Sequence, residues 1–230
     1  MYSIILWDID GTLLDFEKAQ AAAVKTLFRD YALGECTSEK LERYSLINRK
    51  YWKRMELGEI GKQEVLIGRW EEFLAGCGLD ASLAREINSE YQSRLGDTIN
   101  FCDNAWELVN YLKGKVRQYA VTNGTSLAQA KKLKNSGLDK VFDDVFISDV
   151  IGYEKPDVRF FDAVYERIGR PDKKTMLVIG DSLTGDIRLG NKGGITTCWY
   201  NPAGKPNEDN EPVDIEISNL NELKKIILGE

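Results

Sequence analysis

The sequence predicts an α/β fold in which a doubly wound parallel sheet carries an inserted bundle of four helices. The first indication is the run Ile4–Trp7, which is too short for a helix and is typical of a strand buried on both faces. The second is that strand and helix patterns alternate after Phe101, as in βαβ units. The third is that the segment between these regions has only helical patterns, so an insertion interrupts the sheet.

The insertion is predicted over residues 15–98, and the core that contains the sheet over residues 1–14 together with 99–230. Glycines separate the helical patterns of the insertion, and Asp80 is placed to cap the fourth helix. Because the insertion leaves the chain at the carboxyl end of the first strand, we expect a cap domain that acts as a lid over that edge. Its amphipathic helices are predicted at 17–31, 38–55, 64–75 and 81–95.

Strands and helices alternate through the rest of the core. Ser126 with Gln129 matches a capping box at the start of one helix, and Gly137 closes that helix. Pro156 fits the first turn of a later helix. Strands are predicted at 118–121, 145–148, 176–179, 196–200 and 215–217, and helices at 103–112, 126–135, 156–168, 186–189 and 220–228.

Composition and charge exclude several classes of protein. The net charge is −6, so the chain has no basic footprint for a nucleic-acid polymer. It contains no histidine, which excludes an imidazole base and imidazole metal ligands. No stretch approaches the ~20 apolar residues of a membrane span. The four cysteines lack disulfide or zinc-site spacing, which favours free thiols in a reducing compartment, and we predict a cytoplasmic location.

Two aspartates directly follow the first strand. Asp8 and Asp10 lie two residues apart, so their side chains point the same way and repel each other. A buried, apolar sheet has no use for such a pair without a cation or a reaction. Since ligands of open α/β sheets bind at the carboxyl ends of strands, both aspartates are candidate functional residues.

Further polar groups follow three later strands of the predicted sheet. Each alone is typical of an ordinary turn, helix start or helix cap. Their common position at the carboxyl ends of strands favours a single site shared with the two aspartates. The groups are Thr122-Asn123-Gly124, Lys155-Pro156, and Gly180-Asp181-Ser182 followed by Asp186.

These motifs, in this order, resemble those of the haloacid dehalogenase superfamily of aspartyl-phosphate enzymes, and the resemblance covers essentially the whole chain. The inserted bundle resembles that superfamily's helical cap of the first class, on a Rossmann-like core. The resemblance implies that Asp8 is the nucleophile that attacks phosphorus and that Asp10 is the general acid and base. It also implies that Mg²⁺ is held by Asp8, Asp181 and the backbone carbonyl of Asp10.

The same resemblance assigns the remaining motif residues to the phosphoryl group and its surroundings. The hydroxyl of Thr122 and the amide of Asn123 would bind phosphoryl oxygens, as turn amides can. Lys155 would neutralise negative charge on Asp8 and on the phosphate. Asp186 would orient a metal-bound water or Lys155 rather than bind the metal itself.

Segments of the insertion, among them 47–52, 57–60 and 68–70, resemble the noncanonical pyrimidine 5′-nucleotidase branch. This implies a Mg²⁺-dependent phosphomonoester hydrolase that acts on nucleoside monophosphates. We expect a small-molecule substrate, no nucleic-acid polymer or membrane as partner, and a monomer or weak homodimer. A sugar-phosphate or phosphoglycolate phosphatase and a β-phosphoglucomutase-like phosphotransferase would share the catalytic residues. The length of the chain, the insertion and Asp10 argue against a signalling receiver.

Aromatic residues of the insertion could stack on a nucleobase. Aromatic residues at helical spacing more often form the core of a bundle, so we expect Phe16, Tyr51, Trp52 and Trp70 to be core residues. For Arg49 we expect a solvated helix face.

Overall fold

A computed structural model describes residues 1–229 and contains one sheet of six strands within them. Every neighbouring pair runs parallel, and the strand order by position in the sequence is 3-2-1-4-5-6. The first strand is therefore central, and the order reverses beside it, which is where ligands of doubly wound sheets bind. The strands are β1 (Ile4–Trp7), β2 (Arg117–Thr122), β3 (Asp144–Ile147), β4 (Met176–Gly180), β5 (Thr196–Tyr200) and β6 (Ile215–Ile217).

Of the five α-helices between β1 and β2, the first four share an apolar cluster of their own. The side chains of Asp15 and Thr37 cap the first two helices by accepting hydrogen bonds from backbone amides three residues further on, at 3.1 and 3.3 Å. Inside the cluster, the ring centroids of Tyr44 and Trp70 are 4.3 Å apart. The helices are α1 (Phe16–Asp30), α2 (Ser38–Glu56), α3 (Lys62–Gly76) and α4 (Ala84–Arg94).

The two chain segments that connect this insertion to the sheet lie side by side. The amide of Asp15 donates to the carbonyl of Asn100 over 2.8 Å, and the amide of Cys102 donates to the carbonyl of Leu13 over 2.9 Å. The division into a core (1–14 plus 99–230) and a cap domain (15–98) stays a prediction.

Six further helices pack on the two faces of the sheet, namely α5 (Ala105–Leu112), α6 (Ser126–Ser136), α7 (Ser148–Ile151), α8 (Val158–Arg167), α9 (Arg188–Gly193) and α10 (Leu223–Leu228). Alternate residues of β1 point to opposite faces, as the pleat of a strand requires. Ile5 and Trp7 pack with α5 and α10, whereas Ile4 and Leu6 pack with α8 and α9. The predicted fold class, a doubly wound parallel α/β sheet, is confirmed.

The segment before α8 differs from the sequence prediction. Pro156 does not begin the helix; it lies in the preceding loop, where the Lys155–Pro156 peptide is cis. The helix starts at Val158, because Asp157 caps it by accepting a hydrogen bond from the amide of Arg159 over 2.8 Å. The short helix α7 was not predicted, since four residues are too few to show a helical period.

Helix length and composition bear on a membrane location. Within residues 1–229, no helix is long and apolar enough to cross a bilayer. The longest helix, α2, has 19 residues and many charged side chains. As predicted, the four cysteines are free.

Candidate active site

Asp8 follows the central strand and is almost fully buried, with 6% of its surface exposed. Its carboxylate accepts hydrogen bonds from the Lys155 ammonium over 2.7 Å and from the Thr12 hydroxyl over 3.0 Å. Burial raises the pKa of Asp8 to about 7, even though the positive charge of Lys155 acts in the opposite direction. The site thus holds a buried carboxylate oriented by two donors.

Lys155 is the cation at the centre of the site. Its Nζ donates to Asp8 (2.7 Å), to Asp186 (2.6 Å) and to the carbonyl of Val121 (2.9 Å), so all three ammonium protons have acceptors. Although burial disfavours the charged form, Asp186 and Asp8 raise the pKa of Lys155. The side chain of Asn123 fixes the backbone of this lysine: it accepts from the amide of Lys155 over 2.7 Å and donates to its carbonyl over 2.9 Å. The sequence did not indicate this positioning contact.

Three carboxylates form a cluster that could hold a cation. Ligand atoms of Asp8, Asp181 and Asp186 all lie within 4.8 Å of one another. Oxygen donors of this kind suit Mg²⁺, a hard cation. Gly11, with φ +93°, makes room for this cluster, because a Cβ there would lie 2.6 Å from Oδ2 of Asp181. Asp186 is also held by Lys155 and by the amide of Ser182 (3.1 Å). The orienting role expected for it stays a prediction.

The side chain of Asp10 lies outside this cluster and is bound by α6. One of its carboxylate oxygens accepts from Lys132 and the other from Gln129, each over 2.6 Å. The capping box predicted for Gln129 is wrong: Thr125 caps α6, with its hydroxyl 3.3 Å from the amide of Ala128, and Gln129 reaches across to Asp10 instead. In the sequence, Gln129 and Lys132 are three residues apart, which places both side chains on the same face of α6. This spacing is the signal that could have identified them as partners of one group.

Thr122 ends β2 and is buried, with 2% of its surface exposed. Its hydroxyl accepts a hydrogen bond from the amide of Gly124 over 3.0 Å, which shapes the turn that contains Asn123. A side chain at Gly124 would collide with the side chain of Gln129, since a Cβ would lie 2.1 Å from Nε2 of Gln129. A tight turn of this type can offer backbone amides to an anion.

All seven predicted site residues line one cavity of about 600 Å³ between the sheet edge and the insertion. The insertion also contributes Phe16, Trp52 and Arg49 to the wall. The expectation that the aromatic residues form the core holds for Tyr51 and Trp70, which are at least 91% buried in the apolar cluster. The seven residues are Asp8, Asp10, Thr122, Asn123, Lys155, Asp181 and Asp186.

Polar contacts join the end of α2 to loops of the core. Glu56 accepts hydrogen bonds from the hydroxyls of Ser182 (2.8 Å) and Thr184 (2.5 Å), in the loop after β4. Lys53 forms an ion pair of 2.8 Å with Asp209, in the loop after β5. Sequence reasoning missed these contacts because they depend on how the insertion docks on the core. The Glu56 contacts hold the wall of the cavity against the loop that carries Asp181, and the Lys53 ion pair holds it against the loop after β5.

Comparisons with known proteins agree with this geometry. A family model described as haloacid dehalogenase-like hydrolase matches residues 2–194. The HAD hydrolase YfnB of Bacillus subtilis is 37% identical over 98% of this chain and 95% of its own. The pyrimidine 5′-nucleotidases PynA of Streptococcus pneumoniae and YjjG of Escherichia coli are 33% and 27% identical, over 96% and 97% of this chain and 93% and 96% of theirs. A magnesium-bound crystal structure of YfnB has a TM-score of 0.92 and covers 98% of both chains.

Proposed function

The chain belongs to the haloacid dehalogenase-like hydrolases, and on this basis we propose that it is a Mg²⁺-dependent phosphomonoester hydrolase acting on nucleoside 5′-monophosphates. The observation that carries the proposal is the contact between Asp8 and Lys155 at the end of the central strand, inside a cavity large enough for a nucleotide. The relatives PynA and YjjG are pyrimidine 5′-nucleotidases, which supports the nucleotide as substrate.

In the first step, an oxygen of Asp8 attacks phosphorus, and the bond between phosphorus and the leaving oxygen breaks. Asp10 donates a proton to that oxygen, so the nucleoside leaves as an alcohol. In the second step, Asp10 removes a proton from water as the water attacks phosphorus, and the bond between phosphorus and the Asp8 oxygen breaks, which releases phosphate and restores the Asp8 carboxylate. Lys155 neutralises charge on Asp8 and on the phosphoryl group, and preorganised donors of this kind are typically worth ~3–4 kcal/mol each.

The donor set fits a bound Mg²⁺. Lys155 pairs with two of the three clustered carboxylates, Asp8 and Asp186, and not with Asp181, so the cluster keeps an excess of negative charge. Asp8 and Asp181, with the backbone carbonyl of Asp10, would hold the ion. When bound, Mg²⁺ would supply further positive charge to stabilise the phosphoryl oxygens.

The experiment that tests this proposal measures phosphate release from uridine 5′-monophosphate, ribose 5-phosphate and phosphoglycolate, with and without Mg²⁺. We expect Mg²⁺-dependent release, greatest from the nucleotide, and its loss in Asp8→Asn. Asp162→Asn, which changes an exposed aspartate of α8, is the matched control and should keep full activity. If only the other two esters were hydrolysed, the protein would be a different phosphatase and not a nucleotidase. Full activity of Asp8→Asn would refute the mechanism.

The remaining expectations from the sequence are part of this proposal. The net charge of −6 supports a small-molecule substrate rather than a nucleic-acid polymer. A cytoplasmic location and a monomer or weak homodimer stay predictions.

A further inference from the structure

Arg69 of α3 is buried in the insertion, with 1% of its surface exposed. Its guanidinium donates to the side-chain oxygen of Asn48 on α2 over 2.6 Å and to that of Asn88 on α4 over 3.0 Å. We call these three residues the donor array. A single planar group therefore joins three of the four inserted helices.

The charge of Arg69 lacks a carboxylate partner. Within residues 1–229, no ion pair includes its guanidinium, and its Nε has no hydrogen-bond acceptor. The other buried cations differ in this respect, since Lys132 pairs with Asp10 and Lys155 with Asp8. The guanidinium carbon lies 5.1 and 6.0 Å from the ring centroids of Tyr91 and Trp52, so aromatic rings offset part of this charge. Because a buried cation without an anionic partner is still costly, an acceptor oxygen of a ligand would stabilise this site.

The array presents only donors to its surroundings. A guanidinium cannot accept a hydrogen bond, so the oxygens of both asparagine side chains must face Arg69. The same oxygens also accept a second hydrogen bond, from Trp52 to Asn48 (3.2 Å) and from Gln92 to Asn88 (3.3 Å). The amide nitrogens of the two asparagines have no acceptor among the described residues. A ligand at this place must therefore supply acceptor oxygens.

The array lies close to the predicted phosphate-binding turn. Asn48, Arg69 and Gln92 line the same cavity as Thr122. The side chain of Gln92 accepts a hydrogen bond of 2.8 Å from the hydroxyl of Thr125, three residues beyond Thr122. One molecule could thus place its phosphate at the turn and its other end at the array.

We propose that Arg69 and Asn48 determine substrate specificity by donating hydrogen bonds to a carbonyl oxygen of the nucleobase. The proposal rests on the proposed function. Uracil, thymine and cytosine carry such an oxygen beside the glycosidic bond, whereas adenine has no carbonyl oxygen. The array therefore selects nucleotides with a carbonyl-bearing base over adenosine monophosphate and over phosphate esters without a base.

The experiment compares kcat/KM for uridine 5′-monophosphate with kcat/KM for ribose 5-phosphate. In the unaltered protein, we expect a ratio of about 10 to 100, because a hydrogen bond from a charged donor typically changes an equilibrium constant by a factor of this size. Arg69→Met removes the donors and should lower the ratio by about the same factor. Asn48→Asp keeps the volume and pairs the charge of Arg69, and it should also lower the ratio. Arg85→Met, at an exposed arginine of α4, is the control and should keep the ratio.

Thermal denaturation of each variant identifies any that fail to fold, and Asn48→Asp keeps the test valid if Arg69→Met is one of them. An unchanged ratio in a folded, active variant would overturn the proposal for the array alone. A ratio near one in the unaltered protein would overturn it together with the nucleotide preference in the proposed function. A selective loss of phosphoglycolate hydrolysis would also overturn it, because Arg69 would then bind a carboxylate. If the unaltered protein hydrolysed none of these esters, the proposed function itself would fail.

Discussion

Replacement of Lys155 by methionine should strongly destabilise the protein, because it leaves buried carboxylates without their cation. Lys155 is 3% exposed, and its ammonium contacts Asp8 at 2.7 Å and Asp186 at 2.6 Å. Breaking a buried ion pair by removing one partner typically costs about 3–5 kcal/mol. In a chain of this length, about 2–4 °C of melting temperature corresponds to each kcal/mol, so we expect a decrease of about 6–20 °C.

The assay is urea and thermal denaturation with Mg²⁺ chelated, so that no added cation replaces the lost ammonium. Lys50→Met is the matched control: its ion pair with Glu72 is half exposed, and such pairs contribute at most about 1 kcal/mol. Asp186→Asn, combined with Lys155→Met, completes a double-mutant cycle. We expect the double variant to lose less stability than the sum of the single variants, by about 1–3 kcal/mol. A loss in Lys155→Met no larger than that in Lys50→Met would refute the reasoning.

Three further predictions concern the metal site, the acid–base group and the insertion. Gly11→Ala should weaken Mg²⁺ binding, measured by titrating activity with Mg²⁺, because the added Cβ would press on Asp181. Gly34→Ala is the control, since it has similar backbone strain, with φ +81°, but its Cβ would contact nothing. Asp10→Asn should slow turnover by about 10²–10⁴-fold, measured as kcat, because the amide transfers no proton. Burial raises the pKa of the Tyr44 hydroxyl from 10.0 to about 12, so the folded protein loses this proton at a higher pH than the unfolded chain does. The free energy of unfolding should therefore fall between pH 10 and 12. Tyr44→Phe, assayed by denaturation across that range, should reduce the fall.

Each of these predictions has a result that contradicts it. An equal effect of the two glycine substitutions on the Mg²⁺ requirement would mean that strain, not contact with Asp181, is responsible. Near-normal turnover in Asp10→Asn would assign proton transfer to another group. Identical loss of stability in alkali for Tyr44→Phe and the unaltered protein would place the titrating group elsewhere.

The outline of the site could be predicted from the sequence because it depends on local patterns. A short apolar strand that ends in Asp8 and Asp10 marks its own carboxyl end, and parallel strands bring such ends to one edge. Thr122, Lys155 and Asp181 therefore fall into the same cavity without any knowledge of distances. The insertion is equally local, since helical periodicity simply replaces strand periodicity after β1.

The contacts that orient these groups were decided only by tertiary structure. Gln129 fits a capping box as well as it fits a partner for Asp10, and only the approach of α6 to the sheet chooses between them. Arg69 reads in sequence as an ordinary helical cation, yet packing of the bundle buries it against two amides. Glu56 likewise reaches the core only after the insertion has docked. Local periodicity determines which face of an element is apolar, whereas pairings between distant residues depend on how these faces pack together.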